Sequence, residues 1–84
     1  WLNVIYIDKN IFKKNASYLL KKLLKKNINA RPIWLPNHLQ KKFKKYQSFK
    51  INNANKLYSD CICLPSSVNL KDQDIYRICN TIYD

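Results

Sequence analysis

An arginine, a tryptophan and a histidine stand close together in the middle of the sequence, at Arg31, Trp34 and His38. A guanidinium pairs with phosphate or carboxylate groups, an indole packs on a ring, and an imidazole can donate a hydrogen bond to a diphosphate oxygen. Pro32 and Pro36 disfavour helix at the residues before them, so we expect this segment to be stiff and extended. The three side chains are therefore candidates for contacts to a ligand that carries phosphate and sugar groups.

Each of these residues also has an ordinary structural interpretation. An arginine at a strand end is often a surface ion-pair partner, a tryptophan between prolines often fills a core, and a histidine that starts a helix is often a satisfied polar residue. Ser66 and Ser67 are typical of a turn, because no Gly-rich elbow and no second histidine accompany them. The residue types therefore leave binding and structural roles open, and they indicate no catalytic residue.

Lysines and cysteines are the other reactive side chains. Fourteen of the 16 basic residues are lysines, but none stands in an apolar stretch of the kind that makes a lysine a nucleophile. Cys61, Cys63 and Cys79 are an odd number in a chain without an export signal, so we expect reduced thiols that pack as small hydrophobes. Only His38 could join the closely spaced Cys61 and Cys63 around an ion, and we therefore expect no metal site.

The formal net charge of +11 raises the question of a nucleic-acid or membrane partner. Arg31 and Arg77 are the only arginines, whereas base recognition and bidentate phosphate binding mostly use arginine. We expect Phe12, Phe43 and Tyr18 to lie on apolar faces instead of standing out between lysines. We therefore expect no nucleic acid and no membrane partner, and keep a basic polyanion-binding module as the alternative.

The length of 84 residues allows one small domain, which is marginally stable without a partner. No apolar stretch approaches the roughly 20 residues needed to cross a bilayer, and no signal peptide is recognisable, so we expect a soluble, cytoplasmic protein. Because the sequence opens at Trp1 without an initiator methionine, we expect it to be a piece of a longer chain.

Hydrophobic periodicity predicts the elements that position these residues. A β-rich run over residues 2–7 predicts a strand, and helical spacing over 11–26 predicts an amphipathic helix. The apolar run 61–64 predicts another strand, and Asn69 is expected to cap a last helix whose apolar stripe is Ile75, Ile78, Cys79 and Ile82. The apolar face of the first helix comprises Phe12, Ala16, Leu19, Leu20, Leu23 and Leu24.

Shorter elements are expected between the two helices. The chain from residue 28 is predicted to be extended, and Asn37 can cap a short helix that carries His38, Phe43 and Tyr46. A loop and a short helical piece over 53–58 follow. The order predicts a small α/β domain in which about three strands pack with two main helices and short helical pieces.

Two passages, taken together, resemble the C-terminal domain of the DegT/DnrJ/StrS family of fold-type-I aminotransferases. The passage NINARPIWLPNHLQ, from Asn27 to Gln40, is similar to the family's gIxxRPxWxPxHxQ. The passage CLPSSVNL, from Cys63 to Leu70 and followed by Asp72, Asp74 and Ile75, is similar to the family's closing CLPS[GS]xxLxxxDI. Order and spacing also match, so the resemblance covers nearly all of the chain. Asn27 replaces a common glycine, and Leu35 and Asn37 replace the lysine and methionine of close relatives, which leaves the sugar undefined.

The resemblance implies that the parent chain is a homodimeric, pyridoxal-phosphate-dependent aminotransferase. Such an enzyme transfers an amino group from an amino acid, with glutamate as the expected donor, to a nucleotide-linked keto-sugar in surface-glycan biosynthesis. In the family, the Schiff-base lysine and the acid that holds the pyridine nitrogen lie in a large N-terminal domain. Residues 1–84 would then be a single C-terminal small domain that neither binds the cofactor nor catalyses alone. The resemblance also implies that Arg31, Trp34 and His38 lie near the nucleotide-sugar or the cofactor.

Two other hypotheses stand beside this one. The first is the basic module that binds nucleic acid or another polyanion through its lysine faces. The second is a truncated relic whose only activity is to fold or to dimerise. The gene sequence upstream of Trp1 distinguishes them, since a large domain with a Schiff-base lysine there supports the aminotransferase.

Overall fold

The computed structural model describes all 84 residues and contains three strands and four α-helices. In chain order these are β1 (Asn3–Tyr6), α1 (Lys9–Phe12), α2 (Ala16–Lys25), β2 (Arg31–Pro32), a 3₁₀ turn (Asn37–Leu39), α3 (Asn52–Asp60), β3 (Cys61–Leu64) and α4 (Asp72–Tyr83). The sheet has the order β1-β3-β2 and is antiparallel throughout. The predicted small α/β fold, with about three strands and two main helices, is confirmed.

The core lies between one face of this sheet and helices α2 and α4. Ile62 of the central strand β3 is paired with Ile5 on one side and with Pro32 on the other, and it is 2% exposed. Leu19 and Leu23 of α2 are completely buried against this face. Each such side chain contributes about 1.5–3 kcal/mol by leaving water, so α2 is the main stabilising element. The buried apolar cluster consists of Ile7, Ala16, Leu19, Leu23, Ile28, Ala30, Ile62 and Ile78.

The single helix predicted over 11–26 is wrong, because the structure divides this stretch into α1 and α2. Lys13 adopts a left-handed backbone with φ of 61°, which ends α1. The Asn15 side chain then accepts a hydrogen bond of 2.8 Å from the Tyr18 N–H and starts α2. An asparagine that satisfies a free N–H in this way favours a new helix start over continuation. Leu24, which was expected on the apolar face, is 48% exposed.

The last helix starts two residues later than expected. The Asp74 carboxylate accepts a hydrogen bond of 3.0 Å from the Lys71 N–H, so Lys71 is the N-cap residue. The predicted cap, Asn69, instead donates its own N–H to the Ser67 hydroxyl at 3.3 Å. The prediction was wrong because an acidic side chain at the third helical position can accept a hydrogen bond from the N-cap N–H. Such a bond fixes the start of a helix as effectively as an N-cap side chain does.

The predicted apolar stripe of α4 is only partly buried. Ile78 is 8% exposed and Ile82 is half-buried, whereas Ile75 is 48% exposed. Cys79 is also exposed. The helix therefore contacts the core mainly through its middle.

The segment between α2 and α3 contains little regular structure. The expected short helix after Pro36 is a 3₁₀ turn that continues as turns over residues 41–45. The helical piece predicted over 53–58 is confirmed and is longer, as α3. No helix combines the length and the apolar character that crossing a membrane requires.

Candidate functional site

Arg31 and Trp34 line the same groove beside the edge strand β2. This groove, called the Trp34 groove below, has a volume of about 350 Å³ and is formed by Leu2, Arg31, Pro32, Ile33, Trp34 and Cys63. Trp34 is 72% exposed, so it does not fill the core. Its ring meets that of Trp1 edge to face, with the ring centroids 5.6 Å apart. The indole is therefore available to a ligand.

The sheet register explains why Arg31 faces this groove. Arg31 is paired with Cys63, and Cys63 is paired with Val4 on its other side, so the three residues share the face that the core helices do not cover. Val4 on this face is 50% exposed. The one ion pair in the structure joins Lys9 to Asp60, and Arg31 thus has no carboxylate partner within the chain. Its guanidinium is free to bind an anion.

His38 lies in a different groove, at the 3₁₀ turn. This groove, called the His38 groove below, has a volume of about 330 Å³ and is formed by Asn37, His38, Phe43, Tyr46, Gln47, Ser48 and Ile51. The structure therefore brings two of the three candidate residues together and places the third in a separate groove.

The hydrogen bond of His38 defines which ring nitrogen a ligand can use. His38 Nε2 lies 2.6 Å from the Asn55 side-chain oxygen on α3. An amide oxygen only accepts, so with this orientation of Asn55 the Nε2 atom carries a proton. Nδ1 of the neutral ring is then an acceptor, and it donates to a phosphate oxygen only when the ring is doubly protonated. This bond also gives the His38 ring a hydrogen-bond partner within the chain.

The Gln40 side chain fixes the turn between the two grooves. Its amide nitrogen donates to the Leu35 carbonyl at 3.1 Å and to the Asn37 side-chain oxygen at 3.2 Å. These bonds hold the chain on both sides of Pro36, whose fixed φ already limits its freedom. No role for Gln40 or Asn55 was predicted, because the bond from Gln40 to Leu35 and the bond between Asn55 and His38 follow no helical or strand period.

Several aromatic rings are exposed beside lysines, contrary to the expectation from the sequence. Tyr18, which was expected on an apolar face, is 46% exposed, and the Lys14 ammonium lies 5.3 Å from its ring centroid. Phe43 is half-buried, and Tyr46 is 63% exposed. Further pairs of this kind are Lys42 with Phe43, Lys45 with Tyr46, Lys50 with Phe49 and Lys56 with Tyr6.

The three cysteines are unpaired, but they do not share one environment. Cys61 and Cys63 are buried in β3, and burial, together with the nearby Asp60 charge, raises the pKa of the Cys61 thiol. Cys79 is exposed, so the expectation that all three pack as small hydrophobes is wrong for this residue. No three histidine, cysteine or acidic side chains are grouped as metal ligands.

The lysines of this chain do not fit a pyridoxal phosphate site. A Schiff-base lysine needs a pocket that removes it from water. Lys22 is half-buried, and the other lysines are exposed. Lys9, Lys13 and Lys14 line one surface groove together, but all three are exposed, so this groove removes none of them from water.

A comparison with known protein families gives a match over nearly the whole chain. Residues 1–83 match the family described as the DegT/DnrJ/EryC1/StrS aminotransferase family. The matched region includes β2 with Arg31, the segment with Trp34 and His38, and the central strand β3 with the turn that follows it.

Proposed function

The chain belongs to the DegT/DnrJ/EryC1/StrS aminotransferase family, and from this premise we propose that it is the C-terminal small domain of an enzyme that aminates a nucleotide-linked keto-sugar. The family is pyridoxal-phosphate-dependent, and glutamate is the proposed amino donor. We place the enzyme in the cytoplasm as a homodimer that makes precursors of surface glycans. In this proposal the Schiff-base lysine lies outside the 84 residues, and the chain alone neither binds the cofactor nor catalyses.

The observation that carries the proposal is the Trp34 groove. It combines an exposed indole with a guanidinium that has no partner in the chain. An indole face packs against a sugar ring, while a guanidinium forms paired hydrogen bonds with a phosphate or a carboxylate. The chain thus contributes binding and orientation, which place the sugar carbonyl for the amino transfer.

The test is an amination assay of the full-length enzyme with pyridoxal phosphate, glutamate and a panel of nucleotide-linked 4-keto-sugars, beside the 84-residue chain. We expect the full-length enzyme to aminate one of these sugars and the 84-residue chain to aminate none. Amination by the 84-residue chain would contradict the proposal that catalysis requires the rest of the enzyme. If neither the full-length enzyme nor the 84-residue chain aminates a sugar, the proposed substrate class is contradicted.

Arg31→Ala in the full-length enzyme tests the role of the guanidinium. Loss of a charged hydrogen-bonding pair costs about 1.5–3 kcal/mol, so we expect kcat/KM to fall about 10- to 100-fold at an unchanged melting temperature. Lys21→Ala, which removes an exposed charge from α2, is the control and should leave kcat/KM unchanged. If the Arg31 variant has an unchanged kcat/KM and a lowered melting temperature, the role of Arg31 is structural.

The lysine distribution favours a second candidate, the polyanion-binding module. Of the fourteen lysines, only Lys9 has a carboxylate partner. Binding to phosphates of a nucleic acid would weaken steeply with salt. Fluorescence anisotropy with a labelled oligo(dT) at several NaCl concentrations tests this function, which is rejected if the oligonucleotide does not bind at low salt.

A further inference from the structure

The His38 groove has the side chains of a nucleotide site. We propose that it binds the nucleoside diphosphate end of the substrate, with the base stacked on Tyr46 and the diphosphate near the neighbouring lysines. The proposal rests on the function proposed above, because it assigns one end of that substrate to a groove separate from the Trp34 groove. The sugar end then extends toward Arg31 and Trp34.

The arrangement of the two aromatic rings decides how a base can bind. The centroids of Phe43 and Tyr46 are 6.3 Å apart, and the ring planes are inclined by 49°. A stacked base requires parallel planes and about 3.5 Å on each side, so no base fits between the two rings. Tyr46 is 63% exposed, and Phe43 beside it is half-buried. A base therefore stacks on the exposed ring of Tyr46 alone, and the exposed Lys45 side chain, whose ammonium lies over this ring, moves aside toward the phosphates.

The charges around the groove are positive. Residues 41–50, with the sequence KKFKKYQSFK, contain five lysines and no acidic residue. The Lys42 ammonium lies 5.8 Å from the Phe43 ring, and the Lys45 ammonium lies 5.6 Å from the Tyr46 ring. Neither lysine has a carboxylate partner. A diphosphate attached to a base on Tyr46 therefore meets two unpaired ammonium groups.

The size and the polar groups of the groove agree with one nucleotide. A volume of about 330 Å³ is at the lower end of the roughly 300–1,000 Å³ typical of small-molecule sites, so it holds a base and a ribose but leaves the phosphates at the rim. Gln47 and Ser48 line the groove, and their side chains can both donate hydrogen bonds to the edge of a base and accept hydrogen bonds from it. Nδ1 of His38 adds a further polar atom that the bond to Asn55 leaves free.

The experiment is a titration of the ¹⁵N-labelled 84-residue chain, followed by NMR, with UDP, dTDP and GDP. We expect at least one of them to shift the resonances of residues 43–48. Tyr46→Ala should weaken that binding about 10-fold, because stacking on an aromatic ring is lost. Phe49→Ala is the matched control, since Phe49 is 77% exposed, also lies beside a lysine, and is outside the groove; it should leave the affinity unchanged.

Other results would overturn the inference in distinguishable ways. Shifts at Arg31 and Trp34 alone would remove the nucleotide from the His38 groove while leaving the proposed function intact. Equal binding of inorganic pyrophosphate, insensitive to Tyr46→Ala, would mean that the lysines bind phosphate without a base. Binding of oligo(dT) without any mononucleotide response would favour the polyanion module. Absence of every nucleotide shift would reject the site, while the amination assay of the full-length enzyme decides the proposed function separately.

Discussion

At the scale of single residues, burial separates side chains of the same type into reactive and protected groups. Cys61 is 5% exposed and Cys63 is 8% exposed, whereas Cys79 stands at the surface of α4. A thiol reacts as the thiolate, and burial disfavours that charged form. The rise in the pKa of Cys61, caused first by burial and then by the Asp60 charge, adds to this protection.

We therefore expect one fast and two slow thiols in the folded chain. Titration with a chromogenic disulfide reagent at pH 8 should show one equivalent that reacts rapidly and two that react at least about 10-fold more slowly, until denaturant exposes them. Cys79→Ser should remove the fast phase and leave the slow one. Three thiols of equal rate in the native chain would contradict the burial of β3.

Asp60 gives the fold a dependence on pH. The Ser59 hydroxyl, which donates at 2.8 Å, holds the pKa of Asp60 below its ordinary value of 3.8; desolvation opposes this effect, and the Lys9 ammonium at 3.5 Å supports it. A carboxyl group with a lower pKa in the folded state stabilises the fold above the unfolded pKa. This stabilisation is lost as the pH falls through the folded pKa.

Asp60→Asn should therefore lower the melting temperature at pH 7, and the difference from the unsubstituted chain should shrink below about pH 4. Circular dichroism melts between pH 2 and pH 7 measure this difference. Asp84→Asn, at the end of the chain, removes the same charge without these partners and serves as the control. A constant difference across this pH range would show that the Asp60 carboxylate does not act through ionisation.

At the scale of elements, short capping contacts set the boundaries of the helices. Asn15 begins α2 through its 2.8 Å bond to the Tyr18 N–H, directly before the buried Ala16. Helix α2 supplies the fully buried Leu19 and Leu23 to the core. If the helix began at another residue, these two side chains would be displaced from the core. The cap thus links a local bond to the position of the core.

Asn15→Ala should destabilise the chain by about 1 kcal/mol, since the first turn of α2 loses its side-chain acceptor. Asn15→Ser keeps an acceptor and should cost a few tenths of that value. Urea unfolding followed by circular dichroism gives both free energies of unfolding. Equal values for the two variants would mean that this hydrogen bond does not determine the start of the helix.

The sequence predicted the elements whose signals are local and repeated. The leucines of α2 recur at helical spacing, and the short apolar run CICL, which a proline and two serines follow, indicated a strand. It did not predict the break at Lys13, because the cap that starts the new helix contributes only about 1 kcal/mol. Tertiary packing, which no local pattern contains, decides between alternatives this close.

The candidate site was predictable to a similar extent. Arg31 and Trp34 lie in one groove because a proline-bounded segment holds them, and that segment is visible in the sequence. The partner of His38, Asn55, is 17 residues away, and no period connects the two. Residue types therefore led to side chains that line the two grooves, and their role in binding stays a prediction, while the contacts that orient them required the fold.

At the scale of the whole molecule, charge is the dominant property. The formal net charge is +11, and one ion pair is present. The molecule extends over 46 × 31 × 19 Å. At about 10 mM salt the Debye length is about 30 Å, so most charges repel one another, whereas at 0.15 M it is about 8 Å and only neighbours interact.

Added salt should therefore stabilise the folded chain, because it screens a repulsion that the compact state intensifies. We expect the melting temperature to rise between about 10 mM and 150 mM NaCl and then to change little. Sodium acetate at the same ionic strength should give the same rise, which separates screening from the binding of chloride. A melting temperature that stays constant or falls would show that the lysines do not destabilise the fold.

The position of β3 in the sheet also sets an order of events during synthesis. β1 and β2 pair only with β3, which begins at residue 61, so both emerge from the ribosome before the strand that joins them. A helix as short as α2 is marginal in isolation, and its leucines have no sheet to cover until β3 appears. Loop closure between distant strands is slow, and strand edges that have no partner during this time promote aggregation. The many lysines between Lys9 and Lys56 lie in the part of the chain that is synthesised before β3. Their mutual repulsion keeps nascent copies of the chain apart.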